Sequence, residues 1–499
     1  MRAERAGALP RTGNLNKSLR PVVTLPQGRF QGRAGDGYNA FSGIPYAEPP
    51  VGERRWRPPE PRKRGVPFSI DATRFGPIAP QAVESKDHAA QMSEDCLNLN
   101  VWAPQGASLA PVMVWIHGGG FCQGANRVRG SVFAKAGVVL VAPNYRLGLL
   151  GFMAHPSLPD QSANFGLLDL VEALRWVHDN IAEFGGDPNN VTVFGVSAGG
   201  QAVNLLMTMS TAAGLFSQAI AQSGYGTWPL LRASPTLDDP QDTLGDLAHA
   251  AEQAAEQTLH RAGVRGLSQK ALLALPPAEI VSGQRGFQRP IVDGSVVIEE
   301  PGICFARGVV HKVPYIAGAN SFDGSVMPSY QIDPESYQAY WQTLAANWRD
   351  AYRSDEQQAL QRLFGDDRYL FSSWKLTNLI AASGTSAFRY YLDIPAADPL
   401  HWGTPHGFDG FLLFDAEALY PNSNFAGWGQ SLIRAWTAFA KTGRPSSLQG
   451  VGDWLAVDVD PSWHRLGAAS GTSEAELTAR MTLLDLRYQN RIRSGASAV

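Results

Sequence analysis

Cysteine is scarce: the chain of 499 residues has three, Cys96, Cys122 and Cys304. Three cannot build a disulfide framework, and their spacing lacks the CxxC pairing of a zinc site. Long hydrophobic runs are missing as well. The longest apolar stretches, such as 138–142 in AGVVLVAP, are strand-sized and far short of the roughly 18 residues a membrane span requires, so no transmembrane segment is expected. Neither sign of charge is in excess. Lys and Arg total 42 against 45 Asp and Glu, a net charge of −3, which argues against a nucleic-acid partner. Charged residues make up 17% of the chain and hydrophobic ones 44%, against roughly 25% charged in an average soluble protein. A large interior is therefore expected, and extended disorder is not. Residues 1–20 carry Arg2, Glu4, Arg5, Arg11, Lys17 and Arg20 with no apolar stretch, unlike a secretory leader. They read as a flexible tail, and the cysteine usage points to a reducing cytoplasm.

What is present is the punctuation of an α/β protein. Length allows about three domains at roughly 150 residues each, yet the pattern reads as one domain over 21–490, with tails at 1–20 and 491–499. The first sixty residues suit short strands and turns. From Leu97 strands alternate with helices: LNVWAP, PVMVWIHGGG, VVLVAPNYR, a helix over 167–184 and VTVFGVSAGG. That alternation predicts βαβ units on a large, mostly parallel central sheet flanked by helices. Leu168, Val171, Leu174, Ile181 and Phe184 form the apolar stripe of that helix, and GGDP stops it. The Ala, Glu and Gln of 244–275 read as surface helix within an insertion at about 230–285. VPYIAGAN at 313–320 resumes the sheet, and the aromatic block at about 330–400 reads as a second helical insertion over the sheet's carboxyl edge. LIRAWTAFAKTGRP is a helix closed by Gly443 and Pro445.

Gly195-Val196-Ser197-Ala198-Gly199 is a GxSxG sequence. Its small residues permit a sharp strand-to-helix turn that exposes a serine hydroxyl at the sheet edge. VTVF before it suits a strand and AGGQAVNLLMTM after it suits a helix, so Ser197 is the candidate nucleophile. The helix also presents its positive end near Ser197. A serine that attacks a carbonyl generates an oxyanion, which needs donors in waiting. His117-Gly118-Gly119-Gly120-Phe121 follows the strand VMVWI and offers backbone N–H groups without Cβ hindrance. No GxGxxG opens a helix here, which disfavours a dinucleotide cofactor.

Five further blocks carry a family likeness: GIPYAEPPVGERRWRPPEP at 43–61, SEDCLNLNVWAP at 93–104, NYRLGLLGF at 144–152, FGGDPNNVTVFGVSAGG at 184–200 and FAKTGRP at 439–445. Together they resemble the type-B carboxylesterase/cholinesterase family of α/β-hydrolases over nearly the whole chain. The resemblance implies an α/β-hydrolase fold and a serine carboxylesterase of the para-nitrobenzyl-esterase kind. It implies an oxyanion hole of the N–H groups of Gly119, Gly120 and Ala198, with His117 shaping the loop. It also implies activity without metal or organic cofactor, on a small-molecule ester and water. Val196 stands where the family has a glutamate, and Ala79 stands where Cys96 would find a disulfide partner, so Cys96 is expected free.

The chain order of such hydrolases is serine, acid, histidine. Among the histidines after Ser197, His249 and His260 fall on the polar helix, and His311 and His464 lack a glycine-rich setting. The loop HWGTPHGFDGFLLF leaves His401 and His406, of which the resemblance favours His406. Asp409 then reads as a structural neighbour or a surface carboxylate. For the acid the resemblance points to Asp323 in FDG, where the family has a glutamate. Aspartate is one methylene shorter and demands a closer backbone; otherwise Asp323 is an Asx-turn residue before Gly324. Ser223 in AQSG is either a support for that acid or a turn serine. Phe121, Trp228, Phe287, Trp402 and Phe408 are candidate pocket aromatics, and Cys122 faces the site or packs as a small hydrophobe. Other readings on the same triad are a lipase or an amide or carbamate hydrolase, and, remotely, a non-catalytic cholinesterase-like binding protein.

Overall fold

The computed structural model describes residues 20–496, except 64–68, 83–89, 159–162, 234–249, 267, 331, 346–347, 353–355, 396–402, 449 and 469. Its centre is a sheet of ten strands: β1 (Arg33–Ala34), β2 (Tyr38–Pro45), β3 (Asn98–Pro104), β4 (Ala110–Ile116), β5 (Val139–Pro143), β6 (Gly186–Val196), β7 (Gln218–Gln222), β8 (Tyr315–Asn320), β9 (Ala387–Leu392) and β10 (His464–Leu466). Across the sheet the order is β10-β9-β8-β7-β6-β4-β5-β3-β2-β1. The seven strands from β10 to β5 are parallel, while β3, β2 and β1 pair antiparallel at one edge. A sheet buried on both faces explains the near-continuous apolar runs of its strands.

The period of two along a strand sorts side chains into two cores. Val112, Val114 and Ile116 of β4 join one cluster with helices α1 (Phe165–Asn180) and α2 (Ala198–Leu206). Met113 and Trp115 join the other, with Trp436 and Phe439 of helix α3 (Asn424–Thr442). Gly443 closes α3 in the left-handed region at φ 72°, a conformation open to glycine. The loop after β5 is fixed by a buried pair, Arg146 donating to Asp169 on α1 at 2.7 and 2.8 Å. Both side chains are buried, and the two-pronged geometry offsets their desolvation. Beside them, Tyr145 donates to the carbonyl of His117 at 2.9 Å, which ties this loop to the glycine turn after β4.

Two expectations need correction. The block at 330–400 is not wholly helical, because AFRYYL forms β9 inside the sheet; its aromatics hid a strand covered on both faces. The chain does not fray from 491, as helix α4 (Glu474–Ala496) continues and Arg491 pairs with Glu300 at 2.7 Å. The polar helix of the first insertion, Ala251–Arg261, buries Ala255 and Leu259 against Trp56, Leu149 and Phe165, so it is amphipathic. Among the described residues no helix is long and apolar enough to cross a membrane.

His464 is buried, stacks on Trp454 at 4.5 Å and accepts from the Leu448 N–H. Burial lowers its pKa from 6.5 to about 4. Between those values the unfolded chain binds a proton that the folded chain refuses, so stability falls as pH drops through this window. The loss reaches about 3 kcal/mol at the acid end. Urea midpoints measured from pH 7 to pH 4 should fall, and His464→Gln should fall less over the same range; equal slopes would contradict this assignment.

Candidate active site

The site forms where β6, β8 and β9 end, at the carboxyl edge of the parallel sheet, the usual ligand side of such sheets. Ser197 lies between β6 and α2 with φ 59° and ψ −122°, a region that residues with a Cβ rarely adopt. The turn closes because its neighbours have no side chain. A Cβ on Gly199 would lie 2.0 Å from the Ile116 carbonyl oxygen, and one on Gly195 2.6 Å from the same oxygen. The Ser197 N–H donates to the Gln222 carbonyl at 2.8 Å, which locks the turn to β7.

Ser197 Oγ is 2.8 Å from His406 Nε2, and His406 Nδ1 is 2.7 Å from Asp323 Oδ1. The second carboxylate oxygen of Asp323 accepts from Ser223 Oγ and from the Asn320 N–H, both at 2.9 Å. The structure thus brings Ser197, Asp323, His406 and Ser223 together, and Ser223 meets the acid rather than only shaping a turn. The short side chain of Asp323 reaches because its backbone is close. Phe322 bridges to Pro405 and donates to the Thr404 carbonyl, Asn320 Nδ2 donates to the Pro405 carbonyl, and the His406 N–H donates to Ser325 Oγ, each at 2.9 Å. The Tyr369 ring covers His406 with centres 4.5 Å apart. The alternative His401, as well as His249 and Trp402, lies outside the described residues.

Behind the site Asp409 is fully buried and accepts from Gln222 Nε2 at 2.9 Å and Tyr390 Oη at 3.0 Å. The surface-carboxylate alternative therefore fails. Burial raises the Asp409 carboxyl above its ordinary pKa, against the hydrogen bond from Gln222. Gln222 in turn accepts from Trp436 Nε1 at 3.1 Å, so this buried polar group is tied into both core layers.

The glycine turn faces Ser197 from β4. Gly119 and Gly120 have φ 107° and 59°, and among the described residues their N–H groups donate to no protein acceptor. Ala198 opens α2, so its N–H has no partner within the helix. His117 is buried and stacks on Tyr145 with centres 4.4 Å apart. Burial lowers its pKa to about 4, which keeps it neutral. Cys122 is held by the Gly119 and Gly286 carbonyls, and burial raises its thiol pKa, consistent with packing.

The candidate pocket aromatics separate. Phe287 packs on the Gly120 backbone, where a Cβ would lie 2.1 Å from its ring. Trp228 is buried in an aromatic cluster with Tyr225, Phe364 and Tyr369. Phe121 is fully buried against Phe152 and Tyr145, a core position rather than a pocket lining. Phe408 packs on Phe411 and Phe425. A cavity of about 800 Å³ beside His155, Glu256, His260 and Leu272 contains none of the site residues.

Sequence reading missed Asn320, Ser325, Gln222, Tyr369 and Tyr390. Each is an ordinary residue type without a local motif, and only the pairing of distant segments gives it a partner. Asp409→Ala should strand the Gln222 and Tyr390 donors and destabilise the fold by about 2–4 kcal/mol, measured by urea unfolding; a change below about 0.5 kcal/mol would mean that water replaces the carboxylate.

Comparison with known proteins agrees with this geometry. The sequence matches the carboxylesterase family over residues 19–489. It is 38% identical to a fumonisin B1 esterase of Sphingopyxis macrogoltabida over 74% of this chain and 71% of that protein. It is 39% identical to the para-nitrobenzyl esterase of Bacillus subtilis over 61% of this chain and 63% of that protein. A Geobacillus stearothermophilus carboxylesterase structure superposes with a TM-score of 0.79 at 28% identity, covering 93% of this chain and 100% of that one. The chain belongs to the carboxylesterase family and is a carboxylic ester hydrolase with the α/β-hydrolase fold.

Proposed function

We propose that Ser197 attacks the ester carbonyl, His406 takes and returns the proton, and Asp323 holds the imidazole. The observation that carries this reading is the unbroken chain Ser197–His406–Asp323, with separations of 2.8 and 2.7 Å. A proton on Nδ1 satisfies Asp323 and leaves Nε2 free to accept the hydroxyl proton as the nucleophile advances. The imidazolium that results is stabilised by a carboxylate whose other oxygen is held by Ser223 and Asn320. Charge that develops on the carbonyl oxygen meets the N–H groups of Gly119, Gly120 and Ala198, an oxyanion hole supported by their unoccupied donors.

Collapse of the tetrahedral intermediate expels the alcohol, which takes the proton from His406 Nε2. Water then attacks the acyl-enzyme with His406 as base, and the acid leaves. The substrates are small-molecule carboxylic esters, and water is the second reactant. The reading includes a reducing, cytoplasmic setting, supported by three free thiols, of which Cys96 and Cys304 are buried.

Removing the nucleophile or base should abolish turnover while leaving the fold. Ser197→Ala and His406→Gln should each lower kcat on a short-chain aryl ester by at least about 100,000-fold, and Asp323→Asn by about 10,000-fold, with thermal melts close to the parent's. A loss below about tenfold in any of the three would remove that residue from the mechanism.

A further inference from the structure

The acids near the site are already committed. Asp366 pairs with Arg480 at 3.3 Å, Asp367 with Arg487 at 2.9 Å, and Glu300 with Arg491 at 2.7 Å, while Asp323 holds His406. Arg368 follows two of these acids in a single turn of π-helix over Asp366–Leu370, a feature often found at functional sites. It pairs with neither among the described residues. Its guanidinium lies 3.7 Å from the Trp228 ring centre and 3.9 Å from that of Tyr330, and its Nε is buried with no hydrogen-bond partner.

Arg289 lies two residues after Phe287, which packs on Gly120 and meets Tyr330 edge-on. Its pKa is lowered to about 10 by burial and by the positive charge of Arg368, with Tyr225 and Tyr330 as its other electrostatic neighbours. Among the described residues no carboxylate pairs with Arg289 or Arg368. Arg368 is buried among rings, and a guanidinium held there without a carboxylate partner, with a second one near enough to repel it, is unfavourable alone; the two match a carboxylate, which accepts their paired donors.

The same aromatics reach the reaction centre. Tyr330 Oη is 2.8 Å from Tyr369 Oη, and the Tyr369 ring covers His406. Tyr330 also meets Phe287 edge-on, with ring centres 4.6 Å apart. Through Tyr330, Arg368 and the segment that carries Arg289 therefore adjoin the site at Ser197.

We propose that Arg289 and Arg368 form a carboxylate-binding subsite of the Ser197 pocket, which selects esters that carry a second, free carboxylate, such as hemiesters of dicarboxylic acids. The selectivity rests on the hydrolase mechanism proposed above, while the anion site stands as a binding claim of its own. It gives the aromatic cluster a division of labour: rings hold the guanidiniums apart from solvent, and substrate supplies the missing charge.

The test uses the full chain and two aryl esters with the same leaving group, 4-nitrophenyl pentanoate and the 4-nitrophenyl monoester of glutaric acid. The parent should favour the anionic ester in kcat/KM. Arg289→Gln should lower the anionic-to-neutral ratio by about 10- to 100-fold, and Arg289→Lys should recover part of it. Arg368→Gln should do the same if the cluster still folds, which near-ultraviolet circular dichroism reads. Calorimetric titration of glutarate into parent and Arg289→Gln enzyme reads the subsite without turnover, and the variant should bind at least about tenfold more weakly. A parent that favours the neutral ester, or glutarate binding unchanged in Arg289→Gln, would overturn the subsite and make the pair a purely structural cage. Glutarate binding that depends on Arg289, together with no turnover of either ester, would sustain the subsite and overturn the mechanism instead.

Discussion

One backbone turn governs the rest of this structure. Ser197 is held at φ 59° and ψ −122°, a conformation that costs of order 1–3 kcal/mol and persists only where its surroundings leave no alternative. Those surroundings are the Ile116 carbonyl against Gly195 and Gly199, and the Gln222 carbonyl, which accepts the Ser197 N–H. The three segments involved are the ends of β4, β6 and β7, which are neighbours in the sheet. Sheet register and the position of the serine hydroxyl are thus the same fact seen at two scales. A shift of β4 or β7 would release the turn, and with it the alignment of Oγ toward His406.

The acid and the histidine obey a related constraint. They come from loops after β8 and β9, which are adjacent and parallel, and the bridge between Phe322 and Pro405 brings those loops together. That approach is what permits the short side chain of Asp323 to reach His406. Side chains at the end of β8 and just beyond it, Asn320 and Ser325, then fix the backbone around His406. The glycine turn is positioned from the other side, through Tyr145 and the buried Arg146–Asp169 pair. Each group proposed to act on substrate is therefore held by packed sheet or by a loop tied to it, as a preorganised site requires.

Much of this was legible in the sequence because the chemistry is local there. The GxSxG turn, the triple glycine after a strand and the helix that ends at Gly443 are short-range patterns with short-range causes. His406 and Asp323 needed the family likeness, since a histidine in a glycine-rich loop and an aspartate before glycine each have ordinary explanations. What stayed hidden depends on pairing across the chain. AFRYYL reads as part of an aromatic helical block until β8 and β10 lie on either side of it. Asp409 reads as a surface residue until Gln222 and Tyr390 close over it. The two arginines without a carboxylate partner are invisible for the same reason, because Arg368 stands beside two aspartates in sequence and pairs with neither among the described residues.

The central claim is that Ser197 Oγ is the atom that takes up the acyl group as the alcohol leaves. It is tested most directly by quenching the enzyme in acid during turnover of a slow aryl ester and mapping the acylated peptide by mass spectrometry. The account predicts one acyl group per chain, carried on Ser197 and absent when His406 is replaced by glutamine. An acyl group on another residue, or turnover without any covalent intermediate, would contradict it.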